Sequence, residues 1–130
     1  MRPRNEEVVR RFVEALREGD YEGAASALHP DAEWRNTDAF PGQQVCCGPE
    51  EIRVFWQTFF DAFERRGMEV EKLAQSGETV VAEIHSWGTG RASGAPIDVR
   101  WATVYRLREG RILRIDVHGD YDKALEAAGV

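Results

Sequence analysis

Four strand-like segments joined by very short turns make up most of the second half of the chain. They cover residues 70–73, 80–89, 97–107 and 112–118. Each turn between them contains a glycine preceded by Ser or Glu, as at Ser76-Gly77 and Glu109-Gly110. Such short turns connect antiparallel neighbours, whereas parallel strands need long crossover connections. The pattern therefore predicts an antiparallel meander and excludes a sheet built from βαβ units.

The first part of the chain predicts two helices followed by one strand. Phe12, Ala15 and Leu16 recur at helical spacing, and Gly19 is a residue that commonly ends a helix in the left-handed conformation. Asp20 is placed to cap the next helix with its carboxylate. After His29-Pro30-Asp31 the pattern alternates, which predicts a strand with Trp34 and Asn36 on the same side.

A third helix and a short closing helix complete the prediction. Pro49 is suited to the first turn of a helix, which we expect to end at 65–67, where two arginines precede a glycine. Its apolar stripe consists of Ile52, Phe55, Trp56, Phe59, Phe60 and Phe63. We interpret the stripe as the face that covers the sheet. Residues 39–48 are predicted to form a loop, and Asp120 to cap the last helix.

Composition limits the functions open to this chain. Its 130 residues suit one domain, and a net charge of −6 argues against nucleic acid and anionic membranes as partners. We expect a cytoplasmic protein, because neither a secretory signal nor a membrane-spanning apolar run is visible. The adjacent Cys46 and Cys47 are expected to be reduced thiols, and neither CxxC nor a nearby His suggests a metal site.

Alternation separates the meander into two faces. The apolar set, which includes Leu113, Ile115 and Val117 in the last strand, should face the aromatic helix. The opposite face collects the groups suited to acid–base chemistry: Glu83, His85, Asp98, Arg100, Asp116 and His118. We favour an outer face with cross-strand ion pairs. An active site is the alternative, if a bulge shifts the alternation. No metal is predicted, although His85 and His118 could meet across strands with Asp116.

Few polar groups are expected on the helix-facing side. Asn36 lies at the end of a strand, and a buried amide must bond either the protein or a ligand. Thr103, Tyr105 and Ser86 offer hydroxyl groups on the opposite wall. Asp38 shares the alternation of Asn36 if the strand extends, and ordinary turn chemistry before Pro41-Gly42 is the alternative for both residues.

The chain resembles the SnoaL-like members of the nuclear transport factor 2-like superfamily from Glu6 to Gly129. Three motifs carry the resemblance: VxxFVEALREGDYEGAASALHPDAEWRN, GPEEIRVFW and LREGRILRIDVHGDYDKALEAAG. The resemblance implies one α+β domain over residues 1–130. It also implies a cone-shaped, curved antiparallel sheet under three N-terminal helices, with a short C-terminal helix and a homodimer formed through the outer sheet face. It does not specify a reaction, because such folds host many functions.

The catalytic residues of three relatives can be carried over by position. The catalytic tyrosine and the two catalytic aspartates of ketosteroid isomerase correspond by position to Phe12, Asn36 and Thr103. These residues lack the required groups, so steroid isomerisation is not expected.

The Asp-Arg-Asp catalytic set of limonene epoxide hydrolase corresponds by position to Ser86, Ile84 and Val117. The set is therefore missing, and epoxide hydrolysis is not expected either. The tyrosine-asparagine pair of that enzyme corresponds to Trp34 and Asn36. The late aspartate of polyketide cyclases corresponds to Asp120, which also suits a helix cap.

We therefore expect a mostly apolar pocket for a small aromatic or polycyclic metabolite, without a cofactor. The expected ligand-binding residues are Phe12, Trp34, Asn36, Trp56, Phe60, Ser86, Trp101, Thr103, Tyr105 and Val117. The first alternative is a cofactor-free cyclase, isomerase or lyase with Asp38, Asp120 and His118 as catalytic candidates. The second is a non-catalytic association module, which predicts a cone filled by its own side chains.

Overall fold

The computed structural model describes residues 4–36 and 45–130. Four helices and six strands lie within these ranges: α1 (Asn5–Glu18), α2 (Tyr21–Ala25), β1 (Leu28–Asn36), β2 (Val45–Cys47), α3 (Pro49–Phe60), β3 (Phe63–Ser76), β4 (Thr79–Gly90), β5 (Pro96–Arg108), β6 (Arg111–His118) and α4 (Tyr121–Ala128). The predicted order of helices and strands is confirmed except for β2, which was not predicted. Asp38, the first of the catalytic candidates, and the turn at Pro41-Gly42 lie outside the described residues.

The junction between α1 and α2 is built as the local sequence predicts. Gly19 has a φ of 76°, and its N–H donates to the carbonyl of Leu16 at 3.1 Å. The Asp20 carboxylate then accepts a 2.9 Å hydrogen bond from the N–H of Gly23. These contacts satisfy backbone groups that a helix end leaves without partners, and they turn α2 back toward the sheet.

The described strands form one curled sheet in the order β2-β1-β6-β5-β4-β3. Strands β3 to β6 pair antiparallel, which confirms the meander. Strand β1 is parallel to β6, so the sheet is mixed. The prediction that 39–48 is all loop was wrong for Val45–Cys47, because this segment pairs with β1 and places Cys46 opposite Trp34. The adjacent cysteines are free thiols, Cys46 buried and Cys47 exposed.

The predicted end of α3 was wrong. The helix ends at Phe60, and Phe63 already pairs with Gly90 as the first residue of β3. A bulge follows, in which Arg65 has a positive φ of 52°, before the pairing resumes at Gly67. The indole ring of Trp87 lies over Gly67 in the space that a Cβ would fill. Gly67 therefore admits an aromatic ring and does not end the helix.

The two sheet faces bury different cores. One face packs under α1, α2 and α3 and contains Val80, Ala82 and Ile84 of β4, as predicted. On the opposite face, α4 covers a smaller cluster of Val81, Ala102, Val104 and Ala124. Leu113 was assigned to the wrong set, because a register shift in β5–β6 pairs Leu107 with Ile112 and Arg106 with Arg114. Ile112 is buried in the main core in its place.

Candidate functional site

Four aromatic side chains fill one end of the space between helices and sheet, which we call the closed end. They are Phe12, Trp34, Trp56 and Tyr105. The Phe12 ring centroid lies 5.3 Å from that of Trp56 and 5.9 Å from that of Tyr105, both in edge-on geometry. The Trp34 and Trp56 centroids are 6.0 Å apart. These separations are those of directly packed rings, so the closed end is solid core.

Most polar groups of the closed end find partners within the protein, but the buried indole N–H of Trp56 has none among the described residues. The indole N–H of Trp34 donates to the Asn36 side-chain carbonyl at 2.8 Å. Residues two apart in a strand share a face, which allows this contact. Burial raises the pKa of Tyr105 well above its ordinary value, while hydrogen bonding to Thr103 acts in the opposite direction. The expected polar ligands Asn36, Thr103 and Tyr105 are therefore already engaged with their neighbours.

A cavity of about 500 Å³ lies at the other end of the same space, which we call the open end. The helices contribute Leu16, Phe59 and Phe60 to its wall. The sheet side contributes further large apolar side chains, namely Phe63, Met68, Ile97, Val99 and Trp101. Ligand pockets typically measure about 300–1,000 Å³ and are lined mainly by such residues.

The structure separates the predicted ligand-binding residues into two groups. Phe60, Ser86 and Trp101 line the cavity. The others lie in the buried interior behind it: Phe12, Trp34, Asn36, Trp56, Thr103, Tyr105 and Val117. The β4–β5–β6 pairing explains the depth, because Thr103 and Val117 lie one inward-facing position beyond Trp101. Val117 is 1% exposed and Asn36 is 3% exposed.

Several cavity residues were not predicted from the sequence. Phe59 belongs to the aromatic stripe of α3, so its periodicity was a usable signal. Met68 gave none, because the bulge in β3 determines which residue lies opposite it. Arg17 and Arg66 also line the cavity. The sequence predicted Arg66 only as a cation near the end of α3 and predicted no role for Arg17.

Ser86 is the one polar side chain of β4 on the cavity wall. It is 9% exposed, and its hydroxyl oxygen has no hydrogen-bond partner among the described residues. A buried hydroxyl without a partner costs about 1–3 kcal/mol. Because the serine Cβ faces the cavity, rotation about Cα–Cβ can present this hydroxyl to a bound molecule.

The catalytic candidates that the structure describes, His118 and Asp120, are not among the residues that line this cavity, although Gly119 between them is. Asp120 caps α4, its carboxylate oxygen accepting from the N–H groups of Asp122 at 2.7 Å and Lys123 at 3.2 Å. It also borders a smaller polar cavity of about 250 Å³ with Glu83. His118 pairs with Ala102 and therefore belongs to the outer face.

Cross-strand ion pairs occupy the outer face, as the alternation predicts. His85 Nε2 lies 2.8 Å from Asp98 Oδ1, and Arg100 Nε donates to Glu71 Oε1 at 2.6 Å. The hydrogen bond to Asp98 raises the pKa of His85. Asp116 is paired with Arg114 at 3.0 Å.

One group on this face has ligand atoms close enough together for a metal ion. Those of Glu69, Glu71 and His85 lie within 4.8 Å of one another. Arg100 is already bonded to Glu71, and His85 Nε2 already contacts Asp98 at 2.8 Å. The arrangement therefore serves ion pairing.

Several solved structures have the same architecture as this protein. A nuclear transport factor 2-like protein of unknown function from Burkholderia pseudomallei superposes with a TM-score of 0.78 at 22% identity, over 94% of this chain and 95% of that one. A candidate SnoaL-like polyketide cyclase from Jannaschia sp. CCS1 gives 0.78 at 21% identity, over 95% and 90%. TerC, crystallised with polyporic acid, gives 0.78 at 19% identity, over 97% and 98%.

The fold is thus that of the nuclear transport factor 2-like α+β cone. The chain belongs to the SnoaL-like domain family, whose model matches residues 9–115. Comparison with curated protein sequences gives no match. In the part of the chain that the structure describes, no helix has the length and apolar character needed to cross a membrane.

Proposed function

We propose that this protein binds a small, mostly apolar aromatic metabolite at the open end of the cone. The observation that carries the proposal is the buried, unpartnered hydroxyl of Ser86 beside a cavity of about 500 Å³. A ligand oxygen bonded to Ser86 would offset the cost of burying that hydroxyl. Trp101 and Phe60 supply flat apolar surfaces on the sheet and helix sides, against which an aromatic ring can stack.

The similar structures support a ligand of this kind. One of them is a candidate polyketide cyclase, and TerC was crystallised with polyporic acid. In this proposal Phe60, Ser86 and Trp101 contact the ligand, whereas the closed end forms the rigid floor behind it. A reaction is not assigned. Asp38, Asp120 and His118 remain candidates for an acid–base step. The hydrogen bonds that Asp120 accepts as a helix cap do not by themselves favour such a role.

Quenching of tryptophan fluorescence by 2-naphthol tests the proposal. One of the four tryptophans, Trp101, lines the cavity with its side chain from the sheet side. We expect saturable quenching by the unmodified protein and at least about tenfold weaker binding by Ser86→Leu, whose side chain would occupy the cavity and remove the hydroxyl. Thr79→Leu, at the distant start of the same strand, is the matched control. Quenching that does not saturate, or equal binding by Ser86→Leu, would contradict the proposal.

We further propose a cytoplasmic homodimer that associates through the outer sheet face. Trp87 is 38% exposed there, beside the charged pairs of β3, β4 and β5. Tryptophan and arginine are enriched at interfaces, and polar groups surround the interface core as a rim. Light scattering at micromolar concentration should give about twice the chain mass of 14.7 kDa. A mass equal to one chain would refute the dimer.

A further inference from the structure

The charged side chains around the cavity have one sign. Arg17 from the last turn of α1, Arg66 from the bulge of β3 and Arg100 from β5 all contribute to its wall, and no acidic residue does so among the described residues. This is unusual for a chain with a net charge of −6. The guanidinium of Arg100 is bonded to Glu71 on the outer face. Arg17 and Arg66 are therefore the cations available to the cavity.

Arg66 is a mostly buried cation with an incomplete set of partners. Its side chain is 21% exposed, and its nearest carboxylate contact, with Asp61, is 3.6 Å long. The guanidinium carbon lies 5.8 Å from the ring centroids of Tyr21 and Phe60. A charge-assisted hydrogen bond is about 2.7–2.9 Å long. The donors of Arg66 are therefore held by aromatic faces, a hydrogen bond to the Tyr21 hydroxyl and one long ion pair, and a guanidinium with five N–H donors still has room for a further acceptor.

Arg17 has still weaker partners. Its contacts with Glu14 and Glu18 are both 3.9 Å long, and its side chain is 46% exposed. Exposed pairs at such a distance contribute little to stability. Arg17 follows Leu16, whose side chain packs in the core, and both residues line the cavity. The rim on the α1 side is thus a positively charged entrance to an apolar cavity.

Ser86 is located deeper on the same side of the sheet as Arg66. Gly88 follows Ser86 by two residues on the same face of β4, and a Cβ at Gly88 would lie 3.2 Å from the Cβ of Arg66. Successive inward-facing positions of a strand are about 7 Å apart. A bicyclic ring system can span that distance, with one polar substituent at the rim and another at Ser86.

We infer that the ligand is an aromatic acid. Its planar body lies between Trp101 and Phe60, its carboxylate or other acidic oxygen meets Arg66 and Arg17 at the rim, and an oxygen substituent bonds Ser86. This inference rests on the proposed binding function and adds the charge of the ligand to it. Guanidinium groups suit carboxylates because their N–H donors form parallel bonds to two oxygens.

Three naphthalene probes of similar shape test the inference by tryptophan quenching. They are 2-naphthoate, its neutral isostere 2-naphthamide, and the cationic 2-naphthylmethylammonium. We expect 2-naphthoate to bind roughly tenfold more tightly than the amide, since hydrogen bonds to charged groups are stronger than those between neutral groups. The ammonium probe should bind most weakly. The preference for 2-naphthoate should also shrink as salt concentration increases.

Variants of the two arginines complete the experiment. Arg66→Gln and Arg17→Gln should each reduce the preference for 2-naphthoate over 2-naphthamide, and Arg108→Gln, an exposed substitution at the far end of β5, should not. Arg17 is exposed enough for its substitution to be tolerated if Arg66→Gln does not fold. Equal binding of acid and amide would overturn the inference and leave the binding function standing. An unchanged preference in both variants would also overturn it, and failure of all three probes to bind would overturn inference and function together.

Discussion

The closed and open ends of the cone are made from the same kinds of residue and behave differently. At the closed end Phe12, Trp56 and Tyr105 lie edge to face at 5.3–5.9 Å, and the indole N–H of Trp34 bonds Asn36 at 2.8 Å. At the open end Trp101 and Phe60 border about 500 Å³ of space. The difference teaches that aromatic content does not define a pocket. A cavity remains only where the aromatic rings are not packed against one another.

The largest expected contrast is in stability. Trp56→Ala removes a fully buried ring that contacts both Phe12 and Trp34, and should lower the free energy of unfolding by about 3–5 kcal/mol. Trp101→Ala, on the wall of an existing cavity, should cost about 1–2 kcal/mol, because less packing is lost. Urea unfolding followed by circular dichroism measures both. If Trp56→Ala does not fold, Trp56→Phe serves, with a smaller loss. Equal costs for positions 56 and 101 would remove the distinction between the ends.

A smaller contrast concerns two hydroxyl groups on adjacent strands. Thr103→Val removes a hydroxyl that bonds Tyr105 and should cost about 1 kcal/mol of unfolding free energy. Ser86→Ala removes a buried hydroxyl without a partner, so it should not lower the free energy of unfolding and should raise it by up to about 1–3 kcal/mol. The same unfolding measurement applies. A loss of stability in Ser86→Ala as large as that in Thr103→Val would show that Ser86 is already engaged.

The smallest expected effect is the pH dependence of the outer face. The hydrogen bond to Asp98 raises the pKa of His85 in the folded state. A raised pKa stabilises the fold fully below the ordinary histidine value of about 6.5. The contribution is lost as pH rises through the higher, folded value. His85→Gln should therefore destabilise the protein at about pH 5.5 and much less at about pH 8.5.

Asp98→Asn is the matched control for that measurement, because it removes the main cause of the raised pKa while keeping the histidine. Unfolding curves of both variants at the two pH values should show the same reduced pH dependence. A stability difference between His85→Gln and the unmodified protein that does not vary with pH would exclude the ion pair as its cause.

Much of this fold follows from local sequence. Gly19, Asp20 and Asp120 predict helix ends that the structure contains, and alternation assigns most strand residues to the correct face. Local sequence misses what depends on partner strands. The bulge at Arg65 and the shift at Leu113 arise from pairing with β4 and β5, and they end α3 early and move Ile112 into the core.

The candidate site was harder to predict for a related reason. Alternation shows that Asn36, Thr103 and Trp101 share a face, but not how deep each one lies. Depth depends on which side chains from α1 and α3 reach the same place. Phe12 and Trp56 fill the space beside Tyr105, whereas α3 ends at Phe60 before it can cover Trp101. The cavity therefore appears only when helices and sheet are considered together.

A crystal structure of the protein with 2-naphthoate would test the central claim most directly. We predict that the naphthalene ring lies in the open end against Trp101 and Phe60, with an oxygen within hydrogen-bonding distance of Arg66 or Ser86. The rings of Phe12, Trp34, Trp56 and Tyr105 should remain in contact with one another. A ligand lodged among those four rings beside Asn36, with the cavity at Trp101 left empty, would contradict the account.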